Sequence, residues 1–92
     1  MSSSPELARL RGEIERVDAE IVRLIAERVR LAREVGETKH AAGMATLDHV
    51  REAAVVRRAV ELGRDGGLGE SDEVRQIFWQ LIGLCRRTQT KT

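Results

Sequence analysis

Tyrosine is absent from this 92-residue chain, and proline, cysteine, tryptophan and phenylalanine occur once each. Two aromatic side chains are too few for the core of a β-sandwich, and a single proline, at position 5, leaves the rest of the chain free to be helical. The one cysteine, Cys85, excludes an intrachain disulfide and any metal site built from paired cysteines, and it suits a reducing interior. No run of eighteen apolar residues exists, so nothing in the sequence reads as a membrane span. Residues Met1 to Glu6 lack a basic segment followed by an apolar core, so no secretory leader is read there and a soluble, cytoplasmic protein is expected. Charge of one sign is also missing. Sixteen Lys and Arg against fifteen Asp and Glu leave a net +1, which provides no global field for nucleic acid or a membrane surface. Lysine itself is scarce, because fourteen of the sixteen basic residues are arginine. Coding bias accounts for such an excess as readily as function does, yet it makes Lys39, the sole interior lysine, stand out.

What is present is helical periodicity. With Leu7 at position a of a heptad, the a series is Leu7, Ile14, Ile21, Arg28, Val35, and the d series is Leu10, Val17, Leu24, Leu31, Thr38. Eight of these ten positions are apolar, which predicts a long amphipathic helix with a partner-facing seam. It is expected to start near Ser3 or Ser4, with Ser3 and Glu6 spaced as a capping box and Pro5 in the first turn, and to stop near Ala42 before Gly43. A second helix is expected from Thr46 or Asp48 to Gly63, then a loop from Arg64 to Gly69, and a third helix from Ser71 that fades around Gln89. The fold class is therefore all-α: three helices in one domain spanning residues 1–92, the first helix very long. At ~1.5 Å per residue that first helix reaches ~57 Å, more than two short helices can cover. The economical solution is a homodimer in which two long helices run side by side.

Arg28 sits within the apolar seam, where a charge costs several kcal/mol unless something anionic meets it. Lys39 follows eleven residues later at nearly the same angular position, about 20° away at ~100° per residue. Two cations on one stripe suggest a site for a negatively charged ligand. Arg11 lies beside the same seam but about 25 Å from Arg28 along the helix. In an antiparallel pair centred near residues 21 to 23, Arg11 of one chain arrives near residue 33 of the other, roughly between Arg28 and Lys39. The start of the second helix, Asp48-His49-Val50-Arg51-Glu52, adds a cation and a carboxylate beside backbone amides that favour anions. Cys85 and Gln89, four residues apart, continue the Phe78 stripe of the third helix into a polar end. Such a pocket has many donors, one inward carboxylate, no serine–histidine pair and no metal cluster: it binds and orients a polyanion rather than attacking it. The Arg86-Arg87 pair reads as a solvated face, Trp79 as a rim residue, and His40 and His49 as surface residues.

In order and spacing these pieces resemble the AroQ-type, all-helical chorismate mutases. The carrying stretches are Leu10-Arg11-Gly12-Glu13-Ile14-Glu15-Arg16-Val17-Asp18, Leu24-Ile25-Ala26-Glu27-Arg28, Val35-Gly36-Glu37-Thr38-Lys39, Asp48-His49-Val50-Arg51-Glu52, and Phe78 through Gln89. The resemblance implies an intertwined antiparallel homodimer and a Claisen rearrangement of chorismate to prephenate, in phenylalanine and tyrosine biosynthesis, with no covalent intermediate and no cofactor or metal. Carried over position by position, Arg11 of the partner subunit and Arg28 would hold the two carboxylates of the substrate. Lys39 and Gln89 would hydrogen-bond the ether oxygen, and Glu52 would accept from the ring hydroxyl. Arg51 and Asp48 would line the pocket. Where the family often has serine, this chain has Cys85, a weaker donor.

Three rival readings share these features. An isochorismate-pyruvate lyase resembles the same fold but has no need of a carboxylate for a C4 hydroxyl, so Glu52 favours the mutase. A 4-amino-4-deoxychorismate mutase would use Glu52 for an amine instead. A weakly active subunit, activated by a shikimate-pathway partner enzyme, fits the short chain as well.

Overall fold

The structure is a computed structural model that describes residues 4–70 and 72–90, without the side chains of residues 89 and 90. Three α-helices run in chain order: α1 (Pro5–Ala41), α2 (His49–Gly63) and α3 (Asp72–Thr90). A π-helical turn, Arg64–Leu68, joins α2 to the α3 approach, and no strand occurs among the described residues. The expectation of three helices with a long first one is met. Of the two proposed starts for α1, the cap is Ser4, whose hydroxyl accepts from the Leu7 amide at 3.0 Å, with Pro5 in the first turn where its missing N–H costs nothing. The Ser3 alternative and the Ser71 cap of α3 lie outside the described residues. Asp48, not Thr46, caps α2, its carboxylate accepting from the Arg51 amide at 3.0 Å.

Chain reversal after α1 uses the amide of Met44, which donates to the Lys39 carbonyl at 2.8 Å, and Gly43 at φ 71, a left-handed conformation that only glycine adopts cheaply. The segment expected to be a plain loop instead prolongs α2 by one wide turn. It ends at Gly67, whose φ of 94 no longer fits any helix. With three glycines in four residues, the backbone here widens and unwinds at low steric cost.

A small core lies mainly between α2 and α3. Val56, Ala59, Val74, Ile82 and Cys85 are its buried apolar members, with Val56 only 2% exposed. Gly63 lets the end of α2 approach α3, since a Cβ there would stand 3.1 Å from a methyl of Val74. Both α1 and α2 pack on α3, yet no Cα of α1 comes within 8 Å of one in α2. The chain is consequently long and flat, 61 × 29 × 16 Å.

α1 is two-faced. Glu6, Glu13 and Glu20 recur every seven residues, and each pairs with the arginine three residues on, Arg9, Arg16 and Arg23. These pairs are exposed and solvent-screened, so they support the helix locally rather than the tertiary packing. The seam residues Leu7, Leu10, Ile14, Val17, Ile21, Leu24, Leu31 and Val35 remain 36 to 59% exposed. An apolar stripe this long is not covered by the chain itself. Among the described residues, no helix is long and apolar enough to cross a membrane.

Candidate active site

The C-terminal half of α1, the start of α2 and the last turns of α3 enclose a pocket of about 300 Å³. Its apolar floor comes from Leu31, Val35, Val55 and Ile82, and its polar wall from Arg28, Lys39, Asp48, Arg51, Glu52, Cys85 and Arg86. Four cations therefore face two carboxylates, a formal excess of two positive charges. A pocket so charged is matched by a dianion.

Each side chain is placed by its element. On α1, Arg28 and Lys39 share one stripe, as their spacing requires. Arg28 Nη1 donates to the buried Cys85 Sγ at 2.9 Å. Sulfur is a weak acceptor, so this bond orients the guanidinium without neutralising it. Lys39 Nζ donates to the Thr46 carbonyl at 3.1 Å, which draws the lysine over the α1–α2 connection and leaves two of its three donors for a ligand. Among the described residues, no carboxylate pairs with Arg28 or Lys39. Asp48 spends its carboxylate on the α2 cap, which fixes the turn from which Arg51 and Glu52 project.

Glu52 is the most constrained of these groups. Its side chain is 16% exposed and is gripped by the Arg86 fork: Arg86 Nε donates to one carboxylate oxygen at 3.2 Å, and Arg86 Nη2 donates to the other at closer range. His49 Nδ1 lies 3.5 Å from the same carboxylate. The Arg86 hydrogen bonds hold the Glu52 carboxyl below its ordinary value, against the opposing effect of burial, and the guanidinium of Arg86 is raised in turn. A carboxyl depressed in the folded state stabilises the protein above its unfolded value and loses that contribution as pH falls through the folded one. Acidification below the ordinary glutamate value of 4.5 is thus expected to lower the melting temperature of the parent protein more than that of Glu52→Gln. Parallel melting curves of the two across the acid range test this.

The sequence-read residues divide into three groups. Arg28, Lys39, Asp48, Arg51, Glu52 and Cys85 come together around the pocket. Arg11 does not: it lies exposed on the uncovered N-terminal half of α1. The backbone of Gln89 belongs to the last turn of α3, and its side chain lies outside the described residues. One reading needs correction. Arg86 was expected on a solvated face with Arg87, but it lines the pocket and clamps Glu52. The available signal was its place one helical turn after Ile82, a core residue on the same strip. His49, expected at the surface, is exposed but borders Glu52. Trp79, expected at a rim, is 42% exposed and borders a separate groove between α2 and α3.

No group of three or more His, Cys, Asp or Glu among the described residues is arranged to hold a metal ion. With fixed donors, an apolar floor and no nucleophile–base pair, the pocket is built for binding and orientation. The family model for chorismate mutase type II matches residues 10–90, which includes every pocket residue named above. No curated protein and no solved structure matches the chain.

Proposed function

The chain belongs to the chorismate mutase type II family of isomerases, and from that membership we propose that this pocket rearranges chorismate to prephenate as half of an antiparallel homodimer. The observation that carries the reading is the convergence of Arg28, Lys39, Arg51 and Glu52 on one pocket with two positive charges in excess. Chorismate is a dianion that also carries a ring hydroxyl, so the pocket and the substrate complement each other in charge and in donor and acceptor type.

The dimer supplies what one chain lacks. The exposed seam of α1 buries itself against a second copy, and Arg11 of the partner subunit then reaches the neighbourhood of Arg28 and Lys39. Arg28 and Arg11 of the partner subunit hold the substrate carboxylates in forked hydrogen bonds, which selects the compact diaxial form in which the reacting carbons meet. The rearrangement breaks the C–O ether bond as the new C–C bond forms, all within one molecule. Negative charge grows on the ether oxygen during that step, and Lys39 and Gln89 donate to it. Donors fixed beforehand stabilise the transition state more than the bound substrate. Glu52 accepts from the ring hydroxyl, while Arg51 and Asp48 complete the wall. Cys85 serves indirectly, as the acceptor that orients Arg28. No cofactor takes part in this scheme. The product would feed phenylalanine and tyrosine synthesis in the cytoplasm.

Purified protein mixed with chorismate should consume its ultraviolet absorbance at an enzymatic rate and yield prephenate without added metal or cofactor. Absence of turnover with chorismate, alongside turnover of isochorismate or of the 4-amino analogue, would reassign the substrate. Activity only after addition of a shikimate-pathway enzyme would make this chain a subunit that needs a partner.

A further inference from the structure

Glu52 is the sole pocket carboxylate left over for a ligand once Asp48 has capped α2, so whatever surrounds it decides which ring substituent is accepted. The charged and titratable groups that line the pocket with it come from all three helices. Arg28 and Lys39 come from α1, Asp48 and Arg51 from the α2 start, and Cys85 and Arg86 from α3, while His49 borders Glu52 from outside the lining. Only Arg86 binds both carboxylate oxygens. The oxygen that accepts from Arg86 Nε keeps a further lone pair, so the clamped carboxylate still accepts a hydrogen bond. What it has lost is free negative charge. A neutral hydroxyl needs an acceptor and nothing more. An ammonium group needs an anion, and here it would find one already compensated, with a guanidinium beside it.

Resting on the chorismate reading of this pocket, we infer that Arg86 is a positioning and specificity-determining residue: its two-point pairing fixes Glu52 as a charge-compensated acceptor, which favours a ring hydroxyl over an ammonium at the same ring position. Arg86 acts through Glu52 and need not touch the reacting atoms. Its place on α3 suits the role, because Ile82, one turn earlier, anchors the same strip in the core.

The test uses the full chain with Arg86→Gln and the milder Arg86→Lys. The first readout needs no turnover: the carbon-13 titration of the Glu52 side-chain carboxyl, assigned by its loss in Glu52→Gln. In the parent the midpoint should lie below the ordinary glutamate value. In Arg86→Gln it should rise to or above that ordinary value, with partial return in Arg86→Lys. The second readout is the kcat/KM ratio of 4-amino-4-deoxychorismate to chorismate. It should rise about tenfold in Arg86→Gln and fall back in Arg86→Lys, a difference of one decade in relative transition-state binding. An unchanged carboxyl midpoint overturns the pairing, whatever the activity. A shifted midpoint with an unchanged ratio overturns the specificity role, as does an equal loss with both substrates. A parent protein that turns over neither compound refutes the chorismate reading and the specificity role together, while the carboxyl titration still decides whether Arg86 holds Glu52.

Discussion

Lys39→Ala is expected to lower kcat/KM for chorismate at least a hundredfold, while the protein keeps its helical content and the proposed dimer. Loss of one fixed donor to a developing oxyanion costs about 3 kcal/mol in barrier, which sets that scale. Lys39 is suited to the task because its ammonium is partly buried, is steered by the Thr46 carbonyl, and has no carboxylate partner among the described residues. Arginine would not replace it, since a broad planar fork cannot keep both the carbonyl contact and the same point in the pocket. Steady-state kinetics beside sedimentation of the same sample separates the two roles. Parallel loss of rate and of assembly would make Lys39 a structural residue of the α1 end.

Ile21→Glu should abolish activity by a different route, by leaving the protein monomeric. Ile21 is near the middle of the exposed seam and is 48% exposed in the single chain. In the proposed antiparallel pair it meets its own counterpart close to the two-fold axis. The substitution removes two apolar contacts, each worth about 1.5–3 kcal/mol on full burial, and brings two carboxylates together instead. The mutated position is remote from Arg28, Lys39 and Glu52, so activity is lost only because Arg11 of the partner subunit no longer arrives. Complementation isolates that last step. Arg11→Ala and Lys39→Ala proteins, each inactive, should recover on mixing up to about a quarter of the parental activity, because half of the exchanged dimers are hybrids with one intact site. No recovery after verified exchange would refute sharing of the site, and an Ile21→Glu protein that still dimerises would move the interface away from the seam.

Helix identity was legible because burial and backbone geometry share one period: a repeat from Leu7 to Val35 can satisfy its apolar face only as a helix. Caps were legible to within a residue or two, since Ser4 and Asp48 are the residue types that accept from orphan amides. The Arg64–Leu68 segment was harder to read. Glycine-rich sequence states that the backbone is free to turn but not that it first continues α2 by a widened turn. Within the site, Arg28 and Lys39 were legible because a charge breaking an apolar stripe is a local anomaly. Arg86 was not, for a physical reason. It pairs with a residue thirty-four positions earlier on a different helix, and whether one arginine of a doublet faces inward depends on the rotation of α3. That rotation is set by packing of Val74 and Ile82, which no local pattern encodes.

The separation of α1 from α2 has a thermodynamic consequence. These two helices carry opposite walls of the pocket but meet only through α3 and the short connection after Gly43. A dianion that engages Arg28 and Lys39 on one side and Arg51 on the other becomes the missing interface between them, a keystone in an arch the polypeptide leaves open. Occupancy and rigidity then belong to a single equilibrium. By mass action, each tenfold rise in ligand above its dissociation constant adds about 1.4 kcal/mol to the closed, docked arrangement. Within the single chain, the α2 start is held by the Arg86 clamp on Glu52 and by the α2–α3 core of Val56 and Ala59 behind it.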